Sequence, residues 1–209
     1  ASIYAADQNV TLSPDRKAEA FTRDNDLWVR TLPDSLETRL TFDGSEVILN
    51  GYASWVYYEE IFGRSSNYRA FYWSPDSHKI GFYRFDNSRV PVFPIFSPAG
   101  QYGSLNNTRY PKAGGTNPSV RLGVIDLTSH DRKVVWADFN EKDDQYFGLP
   151  FWGADSRELY VSHEPRRQNR LDLYAVSVSD GSKREVYHEE YPTWIDWIEG
   201  MLFTDKGLY

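Results

Sequence analysis

Trp73-Ser74-Pro75-Asp76, followed by Ile80-Gly81-Phe82-Tyr83, is the stretch that decides the fold. Proline presets φ at the first turn position and aspartate hydrogen-bonds back to its own backbone, so Ser-Pro-Asp reads as a tight turn. The run after it has the composition of a half-buried strand. The middle unit continues with Leu122-Gly123-Val124-Ile125 and Lys133-Val134-Val135-Trp136. The same plan occurs upstream as Ser13-Pro14-Asp15, Ala20-Phe21-Thr22, Leu27-Trp28-Val29 and Thr38-Arg39-Leu40-Thr41. It returns downstream as Trp152-Gly153-Ala154-Asp155, Leu159-Tyr160-Val161, Leu173-Tyr174-Ala175-Val176 and Arg184-Glu185-Val186-Tyr187. Each unit reads as strand, Asp-containing turn, strand, hairpin, strand, turn and strand, with Ser179-Asp180-Gly181-Ser182 a clear hairpin signal. Repeated four-stranded antiparallel units are the mark of propeller blades. The sequence therefore predicts an all-β chain, a partial β-propeller of about three blades plus part of a fourth. The expected blades lie at 1–49, 70–140 and 148–188, with the partial one at 189–209.

Composition agrees with sheet and excludes several classes. The 209 residues include 7 Trp, 15 Tyr and 12 Phe but one Met and no Cys. Aromatic enrichment suits half-buried sheet surfaces. Without cysteine there is neither a disulfide framework nor a thiol nucleophile. The formal net charge is −7 and no basic stripe is visible, which argues against a nucleic-acid partner. No run approaches the ~18 apolar residues of a membrane helix. Ala1–Val10 lacks the charged-then-apolar pattern of a signal segment, so the compartment stays open.

Two segments interrupt the repeat. An insertion from about Asp86 to Ser119 divides the middle blade and is rich in Pro, Gly and Asn. A loop of that length is commonly an interaction arm or a mobile segment, unless it is merely a tolerated surface insertion. The other segment, 50–69, does not read as strand. Ser54 can cap a helix start, and Trp55, Tyr58 and Phe62 recur at helical spacing. A short helix at Ser54–Phe62 is expected, set between the first two blades. The unit after Glu189-Glu190-Tyr191-Pro192 holds Trp194, Trp197 and Met201-Leu202-Phe203-Thr204 and then runs out. Propellers close with roughly four to eight blades, so the chain is expected to be a piece of a longer protein. Open strand edges would then favour self-association.

The stretch Asn50-Gly51-Tyr52-Ala53-Ser54-Trp55-Val56-Tyr57-Tyr58-Glu59-Glu60-Ile61-Phe62 resembles the hallmark of the dipeptidyl peptidase IV family, a Trp-Val-Tyr followed by a Glu-Glu pair. Phe85-Asp86-Asn87-Ser88-Arg89-Val90-Pro91 and Tyr110-Pro111-Lys112-Ala113-Gly114-Gly115 follow in the family's order, and Arg166-Arg167-Gln168-Asn169-Arg170 fits its bacterial branch. The resemblance covers nearly the whole chain. It implies an eight-bladed propeller capping an α/β-hydrolase domain, in a periplasmic or secreted serine exopeptidase that removes Xaa-Pro or Xaa-Ala dipeptides. It implies that Glu59 and Glu60 bind the free α-amino group of a peptide, with Phe62 a further candidate for the pocket wall. It also implies a homodimeric parent, with the Asp86–Ser119 arm as candidate contact. Tyr58 departs from the pattern, standing where an acidic residue often precedes the pair, and reads as packing. The family's assisting arginine lies upstream, and no residue here corresponds to it.

The chemistry of a Glu-Glu pair stands on its own. Adjacent carboxylates repel unless a cation joins them. On a helix they sit about 100° apart and can converge on one ligand. A peptide α-amino group, with a pKa of about 7.7–8.0, is mostly an ammonium near neutrality. Its hydrogen bonds to two carboxylates would be charge-assisted and short. An isolated Glu-Glu pair is more often a solvated acidic edge; the surrounding motif is what raises this one above that. No Gly-x-Ser-x-Gly elbow occurs, so the chain carries no hydrolase nucleophile and no catalytic residue is assigned. His78, His130, His163 and His188 suggest no triad, His188-Glu189-Glu190 lacks the second histidine of a zinc helix, and neither metal nor cofactor is expected. A non-catalytic propeller for protein interaction is the alternative. A small sugar-acting propeller enzyme would need a closed ring.

Overall fold

The computed structural model describes residues 6–198, 200–204 and 207–208. The first sheet contains β1 (Gln8–Leu12), β2 (Ala18–Arg23), β3 (Asp26–Thr31) and β4 (Glu37–Arg39), antiparallel and in chain order. The second begins with β5 (Ile48–Asn50), β6 (Phe71–Trp73) and β7 (Lys79–Asp86). The chain then leaves it for a separate hairpin, β8 (Val92–Ser97) and β9 (Ser104–Arg109). It returns as β10 (Ser119–Asp126) and β11 (Val134–Trp136). The third sheet holds β12 (Gln145–Phe147), β13 (Phe151–Trp152), β14 (Glu158–Pro165), β15 (Arg170–Ser177) and β16 (Lys183–Glu190). A last pair, β17 (Phe203–Thr204) and β18 (Gly207–Leu208), lies where the partial unit is expected. Among the described residues no helix is long and apolar enough to cross a membrane.

The repeat seen in the sequence is a hydrogen-bonding repeat in three dimensions. The same backbone bond spans each Asp turn: Ser13 N–H to Ala18 O at 2.8 Å, Ser74 N–H to Lys79 O at 2.9 Å, and Gly153 N–H to Glu158 O at 2.9 Å. The residue after each aspartate is left-handed, with φ of 61° at Arg16, 63° at Ser77 and 59° at Ser156. Those turns also join neighbouring sheets. Asp15 N–H donates to Ser77 Oγ at 3.0 Å, and Asp76 N–H donates to Ser156 Oγ at 3.1 Å. Two indoles repeat the stitch, Trp73 Nε1–H to Thr11 O and Trp152 Nε1–H to Tyr72 O, both at 3.1 Å. Between the sheets lie Leu27, Phe71, Ile80 and Phe82 on one side and Tyr83, Phe85, Val120 and Leu159 on the other, all buried.

Several expected boundaries move. Ile48 and Leu49, expected in the first unit, and Asn50, expected in the insertion, form one strand that pairs with β7 in the second sheet, Leu49 opposite Phe85. Gln145–Phe147 joins the third sheet against β14, and Glu189 and Glu190 continue β16. The reason is shared. β7 and β14 are each 8 residues long, and each meets a broken partner, β5 with β6 and β12 with β13. A pattern search for whole strands loses three-residue and two-residue pieces. The Asp86–Ser119 insertion holds an ordered hairpin whose strands pair from Val92↔Arg109 to Ser97↔Ser104.

A cross-strand row in the third sheet joins His163, Asp172 and His188. Asp172 is almost fully buried and lies 2.7 Å from His188 Nδ1 and 3.1 Å from Arg170 Nε. The pairing skips Val186, which brings Glu185 opposite Tyr174 and onto the same face as His188. The Asp172 hydrogen bond raises the His188 pKa above its ordinary value, against the opposing effect of burial. A raised histidine stabilises the fold fully below its unfolded value of about 6.5, and that contribution is lost as pH rises through the folded value. Asp172→Asn is expected to bring the His188 midpoint down. An NMR titration of the ring checks it, and an unmoved midpoint would remove Asp172 as the cause.

Candidate amino-terminus anchor

Glu59 and Glu60 stand at the tip of an excursion from the edge of the second sheet. The chain leaves at Gly51 and returns at Ala70, where β5 would otherwise run on into β6. Three backbone bonds of 2.9 Å close the gap: Gly51 N–H to Tyr83 O, Ala70 N–H to Gly51 O, and Tyr83 N–H to Ala70 O. Gly51 turns the chain with φ of 70°, and a Cβ there would sit 3.2 Å from Leu27 Cδ1 and 3.3 Å from Phe71 Cδ1. A short antiparallel neck follows, with Tyr52 opposite Arg69 and Ala53 N–H donating to Tyr68 O at 2.8 Å. Three tyrosines stack along it, Tyr58 on Tyr68 at 3.7 Å and Tyr68 on Tyr52 at 4.9 Å. Burial, then Tyr52, Tyr58 and Glu59, push the Tyr68 hydroxyl up to about 12. The expected helix is thus an interruption of one strand and not a link between two blades.

The helix itself is wider than an α-helix. Residues Tyr57–Ile61 form a single π turn, closed by Phe62 N–H to Tyr57 O at 2.7 Å. An i to i+5 bond brings residues five apart onto one face. Tyr57 and Phe62 therefore point into the core together, their rings 5.4 Å apart. The α-helical spacing of Trp55, Tyr58 and Phe62 does not describe the buried face. Trp55 and Tyr58 stay half-buried, 6.3 Å apart edge to face, and Trp55 meets Tyr110 at the base of the hairpin at 6.1 Å. Tyr57 is 1% exposed, packs on Phe85 at 4.8 Å, and its hydroxyl accepts the Phe147 N–H at 3.2 Å. The Phe62 ring is enclosed between Tyr57 and Tyr83. Ser54 does not cap through its side chain. Its carbonyl takes the Tyr57 and Tyr58 N–H groups at 3.0 Å, while its buried Oγ has no partner.

The two acids differ in their surroundings. Glu60 is exposed. The Glu59 side chain is 21% exposed, and its Oε1 accepts Arg64 Nε–H at 2.9 Å and a second N–H from Arg64 Nη2. Glu59 Oε2 is buried and unpartnered. The Arg64 contact is absent from the sequence reading, and the signal for it is slight. Five residues separate Glu59 from Arg64, the same interval as Tyr57 to Phe62, which only a π turn makes meaningful.

Away from this site, ligand atoms of Asp172, Glu185 and His188 lie within 4.8 Å of one another. The sequence reading assigned no metal, and the bulge at Val186 is what assembles the group. Asp172 already has two protein partners there, the Arg170 guanidinium and the His188 ring.

A model of the dipeptidyl peptidase IV (DPP IV) N-terminal region matches residues 3–208. "Probable dipeptidyl-aminopeptidase B" of Talaromyces marneffei is 39% identical over 183 residues, 82% of this chain and 20% of that protein. Its namesake in Phaeosphaeria nodorum is 31% identical over 196 residues, 87% of this chain and 21% of that protein. The crystal structure of Porphyromonas gingivalis dipeptidyl peptidase 4 superimposes with a TM-score of 0.85 at 27% identity, covering 99% of this chain and 29% of that one. The chain thus spans about a fifth of the length of the curated relatives. The antiparallel sheets are β-propeller sheets of that N-terminal region. With almost every residue inside the match, the chain belongs to the dipeptidyl peptidase IV N-terminal region family.

Proposed function

We propose that this chain is the substrate-docking propeller portion of a dipeptidyl-peptidase-IV-like serine exopeptidase that removes N-terminal Xaa-Pro or Xaa-Ala dipeptides. Glu59 and Glu60 anchor the peptide's α-ammonium group. The observation that carries the reading is the placement of both acids on one helical turn, raised from the sheet on a short neck and pinned beneath by Tyr57. Two adjacent carboxylates have charge to spare for one ammonium. The chain has no nucleophile elbow, so it docks peptide without cutting it.

The test compares Ile-Pro with N-acetyl-Ile-Pro as ligands of the complete protein. Acetylation removes the charge and two N–H donors. The free dipeptide is expected to bind roughly tenfold tighter or better, the worth of a charge-assisted hydrogen bond. Equal binding would return the chain to the alternative, a propeller that serves protein interaction only.

We also propose that the parent is a homodimer to which the β8–β9 hairpin contributes. Its support is exposed apolar surface, since Val92, Phe96, Tyr102 and Leu105 all face solvent.

A further inference from the structure

We infer that Arg64 is a resident cation on Glu59, which an incoming α-ammonium has to displace, so that Glu60 captures the amine first and Arg64 limits how tightly Glu59 joins. This deepens the anchor reading and rests on it.

The acceptor count leads to it. A carboxylate oxygen offers about two lone-pair sites. Two N–H donors of Arg64 fill those of Glu59 Oε1. The other oxygen, Oε2, is buried and unpartnered, out of reach of a ligand arriving from solvent. As it stands, Glu59 presents no open acceptor. Glu60 is exposed and, among the described residues, has no hydrogen-bond or ion-pair partner. The first contact of an ammonium therefore falls to Glu60.

Arg64 is the partner able to move. Its side chain is 74% exposed against 21% for Glu59. It begins the 3-10 turn Arg64–Ser66, just after Gly63, which reverses the chain with φ of 77°. With most of its side chain already in solvent, the guanidinium can swing into water. Glu59 raises the Arg64 pKa through its hydrogen bond, so the guanidinium is charged at every working pH. The same pair explains how two adjacent acids coexist when the site is empty, since one carries its own counter-charge.

A neutral amide N-terminus brings no charge and leaves the Glu59–Arg64 pair in place. A primary α-ammonium replaces it. Arg64 thus weakens charged ligands selectively, by the strength of one exposed ion pair, which corresponds to about two- to five-fold in affinity. Salt screens such a pair, so the effect shrinks at high ionic strength.

The experiment measures Ile-Pro and N-acetyl-Ile-Pro binding to the complete protein carrying Arg64→Gln, Arg64→Lys or Glu59→Gln. Arg64→Gln is expected to tighten Ile-Pro about two- to five-fold at low salt, leave the acetylated ligand unchanged, and lose the difference in high salt. Arg64→Lys, which keeps the charge but not the fork, is expected to fall between. An unchanged melting temperature excludes a folding effect, as suits an exposed residue. Weaker Ile-Pro binding in Arg64→Gln would make Arg64 a positioning residue for Glu59 and overturn the inference, as would no change. Glu59→Gln separates the two levels. If it leaves Ile-Pro binding unchanged, the anchor reading fails and this inference with it. If it weakens binding while the Arg64 variants do nothing, only the role of Arg64 falls.

Discussion

Glu59→Ala and Glu60→Ala are each expected to lower kcat/KM for free-amine dipeptidyl substrates by about ten- to a hundred-fold in the complete protein, the range of a hydrogen bond to a charged group. The loss should fall on both KM and kcat. An anchored amino terminus holds the scissile bond in register, and a small misplacement of the reacting atoms slows the chemical step. The double variant should fall short of the product of the single losses, because two carboxylates on one ammonium act as a unit. Folding is not at issue, since neither side chain belongs to the buried core and each sits on a turn held by Tyr57 and Phe62. Steady-state kinetics on a Xaa-Pro p-nitroanilide give the measurement. Unchanged constants in both single variants would sink the anchor.

Tyr57→Ala is expected to cost about 3–5 kcal/mol of folding stability, the usual range for truncating a buried aromatic ring. Tyr57 contacts Phe62, Phe85, Tyr83 and Tyr146, and its hydroxyl serves the buried Phe147 N–H of the next sheet. One side chain thus ties the π turn to both the second and the third sheet. Tyr57→Phe separates the two roles. It keeps the ring and removes the acceptor, leaving the Phe147 amide unpaired at a cost of about 1–3 kcal/mol. Urea denaturation of both variants tests the ordering, and a Tyr57→Phe loss as large as that of Tyr57→Ala would show that the hydrogen bond and not the packing holds the helix. Peptide binding should weaken with Tyr57→Ala even where the protein still folds, because Glu59 and Glu60 lose the pin beneath them.

The parts legible beforehand were those set by neighbouring residues. Ser13-Pro14-Asp15 and Ser74-Pro75-Asp76 announce their turns through proline φ and aspartate hydrogen bonding, and the apolar runs after them mark strands, although residues 20–22 and 80–83 are buried on both faces and do not alternate. The short pieces β5 and β12 were lost for the opposite reason. Three residues carry too little pattern, and their pairing with β7 and β14 is decided by strands far away in the chain. The helix was found but its pitch was not. An α-helical reading places Trp55, Tyr58 and Phe62 together, whereas the core accepts Tyr57 and Phe62 and opens the turn by one residue to take both.

The all-β repeat, the turns that divide it, and the position of two adjacent acids in a non-strand insertion are written in the order of the residues. These follow from backbone preferences and side-chain periodicity, which act over a few residues. The tertiary structure alone decided that the insertion splits an edge strand of the second sheet, that its helix is a π turn, and that Arg64 occupies Glu59. Each of those depends on groups brought together across the core or around a chain reversal, where packing volume and hydrogen-bond satisfaction outweigh local propensity.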